Sequence, residues 1–181
     1  YQCSCPVLQL SSTPLKSMQR LDEFMGDALA RYYDSRDPLG KDGDFTTAPE
    51  ISQLFGEIIG IWAVQRWIEM GSPSSFNLIE LGPGRGTLMM DLLRGTAHVK
   101  AFHSTMEIHL VEMSSALKSK QKETLSNYDI TWHKHLSDIP NNNPTIIIAN
   151  EFFDALPIRQ FKYDDGWQEH YIEDNISLWK A

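Results

Sequence analysis

The sequence has few cysteines, no long apolar run and no excess of basic residues. Its two cysteines, Cys3 and Cys5, are too close together to build a disulfide framework, which suits a reducing compartment. Lys and Arg number 16 against 24 Asp and Glu, so the chain lacks the basic face with which proteins bind nucleic acid. Its apolar runs are too short to span a bilayer. The six histidines have no zinc-type spacing, and we expect no metal site.

Residues 1–20 contain basic and hydroxyl side chains but no acidic one. This composition is compatible with the end of a mitochondrial transit peptide, and we interpret the stretch as a flexible N-terminal segment. The sequence begins at Tyr1 rather than at Met, so we expect that an upstream piece is missing or was removed.

Residues 21–75 are predicted to form an N-terminal helical segment. Apolar residues recur at helical spacing over Leu21–Tyr33, and the turn-forming residues of Asp37–Asp44 predict a loop. Thr47 and Glu50 have the spacing of a capping box, which begins a helix that continues to about Met70. We expect this helix to bury one stripe of apolar residues: Ile51, Leu54, Phe55, Ile58, Ile59 and Trp62.

From residue 76 onwards, strands and helices alternate, which predicts an α/β fold with a parallel sheet and right-handed crossovers. We assign residues 76–181 to a partial Rossmann-like domain that ends with an antiparallel hairpin. The strands are predicted at 76–81, 107–112, 130–133 and 144–150, the helices at 87–93 and 114–125, a loop at 95–104, and the hairpin strands at 158–163 and 167–172. The unbroken apolar run of the fourth strand predicts burial on both faces.

A glycine loop follows the first of these strands. Gly82, Gly84 and Gly86 let the backbone turn sharply and let a ligand approach closely, and Thr87 begins the next helix. The dinucleotide fingerprint requires its third glycine at position 87, so a nicotinamide oxidoreductase is disfavoured. Glu80, just before the loop, is placed to hold the ammonium of S-adenosylmethionine.

Glu112 stands at the end of the second strand, where a carboxylate can accept hydrogen bonds from both ribose hydroxyls of a nucleotide cofactor. Together, the glycine loop and the acidic residues at two strand ends predict an S-adenosylmethionine site.

Three blocks of sequence resemble the MidA-type protein arginine methyltransferases. They are Arg36–Gly40 with Gly43–Gln53, Glu80–Thr87 and Ala149–Pro157. The second block is shared by many methyltransferases, whereas the first and third are specific to this family. The family includes the mitochondrial assembly factor methyltransferase of respiratory complex I, and the sequence of the three blocks looks closer to alphaproteobacterial members than to animal ones.

This resemblance implies a class I methyltransferase fold, with S-adenosylmethionine as methyl donor and an arginine of a complex I core subunit as the symmetrically dimethylated target. It implies the mitochondrial matrix for a eukaryotic chain and the cytoplasm for a bacterial one. The chain looks like the N-terminal half of a family member, truncated after the fourth strand and the hairpin. We therefore expect weak or no methyl transfer from the 181-residue chain alone.

Asn150, Glu151 and Asp154 follow the fourth strand and are the candidate catalytic residues. Carboxylates can grip a guanidinium bidentately and localise its charge, while Asn150 offers a carbonyl. The alternative is that Asp154 caps the following turn and Glu151 is solvated. Phe152 and Phe153 could wall a methyl channel or belong to the core.

A second function from another class stays open. The chain could be a cofactor-binding assembly protein without catalytic activity, or an inactive truncated form, since the substrate half of the family fold would be missing.

Overall fold

The computed structural model of the chain describes residues 18–35 and 47–181. The predictions for the cysteine pair, for residues 1–17 of the N-terminal segment and for the Asp37–Asp44 loop lie outside these residues. The chain divides into two compact units. One combines the chain up to Ala30 with Leu156–Ala181, and the other is Arg31–Ala155. The domain boundaries at residues 20 and 75 stay a prediction.

The helices and strands follow one another as β1 (Gln19–Arg20), α1 (Leu21–Ser35), α2 (Ala48–Ile51), α3 (Gln53–Glu69), β2 (Phe76–Leu81), α4 (Thr87–Gly95), α5 (Lys100–Thr105), β3 (Met106–Val111), α6 (Ser115–Thr124), β4 (Ile130–His133), β5 (Thr145–Ile148), β6 (Phe161–Tyr163), β7 (Trp167–Glu173) and β8 (Ile176–Lys180). Short 3-10 turns lie at Leu136–Asp138 and Phe153–Ala155. The loop predicted at 95–104 is wrong in part, because α5 forms within it. Among the described residues, no helix combines the length and the apolar character needed to cross a membrane.

The larger unit is built on a parallel four-stranded sheet in the order β4-β3-β2-β5, as the alternation of strands and helices predicts. The central strand β2 is buried along its whole length. Its alternate residues contribute to two cores. Phe76 and Leu78 pack with α4 residues such as Leu92, and Ile79 and Leu81 pack with residues from the other side of the sheet.

Helix α3 buries a different face from the one predicted. Its buried residues are Gly56, Gly60, Ala63 and Trp67. A Cβ on Gly56 would lie 2.6 Å from Cβ of Asp91 in α4, so the two helices approach too closely for larger side chains at this point. The predicted stripe is wrong in part: Phe55 and Ile59 pack against the core, but α3 is apolar on most sides and close helix packing selects its small residues. Four stripe residues are exposed instead: Ile51, Leu54, Ile58 and Trp62.

Strand β5 forms an edge of the sheet, pairing with β2 only among the described strands. Its residues alternate between exposed and buried, and Ile147 is 46% exposed. The prediction of burial on both faces is therefore wrong. Trp62, Met70 and Ile147 line one cavity beside β5. We use the name α3–β5 face for these residues together with the other exposed apolar side chains of α3: Leu54, Ile58, Ile61, Trp62, Ile68, Met70 and Ile147.

The smaller unit contains α1 as far as Ala30 and an antiparallel sheet. The predicted hairpin forms from β6 and β7. Sequence reasoning missed two strands that also pair with β7, namely the two-residue β1 and the C-terminal β8. Arg159 bonds Glu169 of β7 across this unit, with 2.6 Å between Nε and Oε1.

Candidate cofactor and substrate site

The glycine loop joins β2 to α4 along a left-handed path. Backbone φ is +62° at Gly82, +54° at Gly84 and +83° at Gly86, a region that residues with side chains rarely adopt. The N–H of Gly82 donates to the carbonyl of Val111 at 3.1 Å, which ties the loop to the end of β3. A Cβ on Gly82 would lie 2.6 Å from Cδ2 of Phe152. The three predicted glycines therefore form one tight loop, and the ring of Phe152 packs closely against its backbone at Gly82.

Glu80 is buried at the end of β2, two residues before the loop. Its side chain is on the same face of the strand as Leu78, and the residue is only 3% exposed. One carboxyl oxygen, Oε2, has no hydrogen-bond partner among the described residues. Burial raises the pKa of Glu80 to about 8, because the charged form loses its hydration. A cation placed against this carboxyl would stabilise the charged form, so the residue fits the ammonium of an amino-acid ligand.

Glu112 follows β3 and is 9% exposed. The N–H of Ser114 donates to its Oε1 at 2.8 Å, and Nε2 of Gln121 donates to its Oε2 at 3.2 Å. Burial raises the pKa of Glu112, while these two hydrogen bonds act in the opposite direction. Each carboxylate oxygen can accept more than one hydrogen bond, so both keep capacity for the hydroxyls of a ribose.

Gln121 connects these parts of the site, and sequence reasoning missed it. The residue is fully buried on α6, and its Nε2 also donates to the carbonyl of Gly84 at 2.7 Å. Its Oε1 accepts from Nε1 of Trp132 on β4 at 2.9 Å. A signal existed in the sequence. Gln121 lies four residues after Leu117 and four before Leu125, in the middle of the buried face of the helix.

Glu50 lies against the start of α4 rather than in a capping box. Thr47 precedes α2, but its side chain makes no capping hydrogen bond. Instead, Oγ1 of Thr87 donates to Oε1 of Glu50 at 2.6 Å. The predicted capping box is wrong, because the Glu50 side chain accepts from Thr87, which is distant in sequence, and Thr47 makes no side-chain cap. This contact attaches the short helix α2 to the first residue of α4, directly after the glycine loop.

The segment after β5 reaches the same loop through an aromatic ring. Phe152 is half-buried against Gly82 and packs with the core residues Ile79 and Val111. Phe153, by contrast, is 63% exposed. The candidate catalytic segment thus contacts the glycine loop through Phe152, which packs against the core, while Phe153 lies at the surface.

Asn150, Glu151 and Asp154 lie in this segment with different exposures. Asn150 is half-buried, while Glu151 and Asp154 are exposed. Glu151 has a φ of +48°, which is uncommon for a residue with a side chain and turns the chain sharply after β5. Asp154 lies in the 3-10 turn Phe153–Ala155. The structure places these residues in one turn without engaging either carboxylate in an ion pair among the described residues.

Within residues 18–35 and 47–181, no group of three or more His, Cys, Asp or Glu side chains is arranged to hold a metal ion. His133 contacts His109 of the neighbouring strand, with 3.0 Å between Nδ1 of His109 and Nε2 of His133.

Comparisons with known proteins show the family of the chain. Residues 58–177 match the family model described as "Putative S-adenosyl-L-methionine-dependent methyltransferase". The chain is 39% identical to the Drosophila melanogaster protein named protein arginine methyltransferase NDUFAF7 homolog, mitochondrial, over 91% of this chain and 42% of that protein. It is 36% identical to the Homo sapiens protein of the corresponding name, over 90% of this chain and 42% of that protein. The chain thus spans less than half the length of these relatives.

A solved structure gives the same result for the fold. A Burkholderia thailandensis protein bound to S-adenosyl-homocysteine superposes on this chain with a TM-score of 0.73 at 25% identity. The match covers 91% of this chain and 46% of that one. The parallel sheet and this likeness confirm the predicted α/β, Rossmann-like methyltransferase fold.

Proposed function

Since the chain belongs to the family of S-adenosyl-L-methionine-dependent methyltransferases, we propose that it binds S-adenosylmethionine at the carboxyl ends of β2 and β3 and acts in the methylation of a protein arginine. The observation that carries the proposal is the buried Glu80 oxygen without a partner, two residues before a left-handed glycine loop. Glu80 binds the ammonium, the loop and the start of α4 at Thr87 receive the amino-acid end, and Glu112 accepts the ribose hydroxyls.

The donor set fits S-adenosylmethionine better than a dinucleotide. A buried carboxyl with a raised pKa has a use for a cationic ligand group, which a dinucleotide pyrophosphate cannot provide. The ring of Phe152 against Gly82 leaves the loop backbone lined on one side by an apolar surface. This environment suits a ligand that carries both a charged amino-acid end and an apolar thioether region.

For the transfer, we propose that the segment after β5 holds the target guanidinium. When bound, S-adenosylmethionine supplies a methyl group activated by its sulfonium. Glu151 and Asp154 grip the guanidinium and accept the proton that its attacking nitrogen loses, and Asn150 orients it through its carbonyl. Phe152, from the same segment, contacts Gly82 of the loop, which supports a placement of acceptor beside donor as an in-line displacement requires.

The target we propose is an arginine of a respiratory complex I core subunit, as the family resemblance implies. The proposed location is the mitochondrial matrix for a eukaryotic chain, supported by the mitochondrial names of its relatives, and the cytoplasm for a bacterial one. The excess of acidic residues supports a protein substrate rather than a nucleic acid.

The experiment measures incorporation of a labelled methyl group from S-adenosylmethionine into an arginine peptide or a complex I core subunit. Because the chain matches only 42% of the Drosophila relative, a chimera is used in which it replaces that part. We expect Glu151→Gln and Asp154→Asn each to remove most of the transfer with cofactor affinity unchanged, since an amide donates where the guanidinium also donates.

The matched control substitutes Glu173→Gln and Asp165→Asn, which are exposed carboxylates of the smaller unit. Full transfer by both site variants would remove Glu151 and Asp154 from the mechanism. The 181-residue chain alone is expected to transfer weakly or not at all, and robust turnover from it would contradict that expectation.

The second candidate function is a cofactor-binding assembly protein without transferase activity. The exposure of Glu151 and Asp154 favours it, because neither carboxylate is held in place as Glu112 is. Absence of transfer by the chimera, with cofactor bound and a target supplied, would support this function over the enzyme.

A further inference from the structure

We infer that Gln121 is a positioning residue that fixes Glu112 and the glycine loop in the geometry required by the ribose of the cofactor. The inference rests on the proposed function, because it concerns how the same site holds its ligand. Gln121 is fully buried on α6. It is the one side chain for which hydrogen bonds to both the loop and Glu112 are recorded among the described residues.

The orientation of the Gln121 amide is determined by its neighbours. The indole N–H of Trp132 is a donor only, so it must face the amide oxygen, at 2.9 Å. The amide NH2 must then face the carbonyl of Gly84 and the carboxylate of Glu112, which are both acceptors. All three contacts agree with one orientation, and rotation of the amide by 180° would break all of them.

The two hydrogen bonds of the Glu112 carboxylate come from different sides. Oε1 is held by the backbone N–H of Ser114, and Oε2 by the side chain of Gln121. With both oxygens held, the plane of the carboxylate is fixed, and the remaining lone pairs point in defined directions. Without Gln121, Oε2 would lose its partner and the carboxylate could rotate about the oxygen that Ser114 holds.

Gln121 also joins two elements that must keep a constant separation. Helix α6 packs against the loop, since a Cβ on Gly86 would lie 3.7 Å from Cα of Gln121 and 3.1 Å from Cδ1 of Leu125. The hydrogen bond to Gly84 holds the loop in register with this helix, and the bond to Glu112 holds the end of β3. The adenosine half of the ligand therefore meets a carboxylate and a loop that are positioned by the same side chain.

The test compares S-adenosyl-homocysteine with its 2′-deoxy analogue in calorimetric titrations of the whole chain. In the unaltered chain, we expect the missing hydroxyl to weaken binding about tenfold or more, because Glu112 loses a ligand donor. In Gln121→Met, we expect weaker binding of the parent ligand and a ratio between the two ligands close to one. A purely structural role would weaken both ligands equally and leave the ratio unchanged.

Two further variants make the result decisive. Trp132→Phe keeps Gln121 but removes the donor that orients it, so the ratio should fall in the same direction by a smaller amount, even if Gln121→Met fails to fold. Gln65→Met replaces an exposed glutamine of α3 and should change nothing. Unchanged ratios in folded Gln121→Met or Trp132→Phe would overturn the inference while the proposed function stands. A folded, unaltered chain that binds neither ligand would overturn both.

Discussion

The end of the parallel sheet that carries the glycine loop, which we propose as the cofactor end, and the α3–β5 face belong to the same unit but differ in burial. At the cofactor end, Glu112 and Gln121 are buried and bonded to each other. On the α3–β5 face, apolar side chains such as Ile58 and Ile61 are 54% and 62% exposed. In the first region, Glu112 and Gln121 are paired with each other and the Glu80 oxygen Oε2 lacks a partner among the described residues, whereas the second region leaves apolar side chains exposed.

This difference indicates that the two regions can be disturbed separately. The cofactor end depends on the close approach of Phe152 to Gly82 and on directional hydrogen bonds such as that from Gln121 to Glu112. Adding or removing a single atom there should therefore change cofactor affinity. The α3–β5 face instead presents exposed apolar side chains. Substitutions at the cofactor end should therefore change cofactor affinity, whereas substitutions on the α3–β5 face should leave it unchanged.

The largest effect is expected from Gly82→Ala at the cofactor end. The new Cβ would lie 2.6 Å from the Phe152 ring and would sit at a φ of +62°. We expect the affinity for S-adenosylmethionine to fall more than about a hundredfold and the free energy of unfolding to fall by about 1–3 kcal/mol. Gly71→Ala is the matched control, because Gly71 has a φ of +86° with no atom within 4 Å of a Cβ. Equal loss of affinity in both variants would show that contact with Phe152 is irrelevant.

A smaller loss is expected from Glu112→Ala. The substitution removes the proposed ribose acceptor, at a cost of roughly 1–3 kcal/mol, so calorimetry should show an affinity about tenfold weaker or more. Glu107→Ala, at the other end of β3, serves as a control and should bind normally. If Glu112→Ala folds and binds S-adenosylmethionine as tightly as the unaltered chain, Glu112 is not the ribose ligand.

The smallest effect on affinity is expected from the α3–β5 face. Ile58→Gln combined with Ile61→Gln should leave cofactor binding unchanged and reduce concentration-dependent association in light scattering, because exposed apolar area is removed. Ala63 on the same helix is fully buried, so Ala63→Gln should lower the melting temperature instead. Loss of cofactor affinity in the double variant would contradict the separation of the two regions.

The sequence predicts the parallel sheet well, because its strands are short apolar runs separated by helical segments. It predicts the glycine loop equally well, since three glycines at alternate positions have few other uses. The exposed side of α3 could not be predicted in the same way. Apolar residues occur around most of that helix, and only the positions of Gly56 and Gly60 against α4 decide which side is buried.

The polar contacts of the site were predicted in part. Glu80 and Glu112 stand at strand ends, where the chain order alone suggests their use. The sequence pattern predicts a local capping box for Glu50, because its partner in the structure, Thr87, is 37 residues away. Gln121 is visible in the sequence only as a polar residue on an apolar helix face, and its partners come from three separate parts of the chain.

The pKa of Glu80 connects the geometry of the site to the central claim. With a pKa of about 8, the carboxyl is protonated at pH 7 in the free chain. An ammonium bound against it favours the charged form and lowers the pKa, so binding at pH 7 must release a proton. At pH 9, the carboxyl is already ionised and the release should disappear.

The most direct measurement is therefore a calorimetric titration with S-adenosylmethionine and with NAD at pH 7, in two buffers of different ionisation enthalpy. We expect S-adenosylmethionine to bind with release of close to one proton, NAD to bind more weakly or not at all, and the release to vanish in Glu80→Gln. Tighter binding of NAD, or binding of S-adenosylmethionine with the same proton release in Glu80→Gln, would contradict the assignment of Glu80 and of the cofactor site built around it.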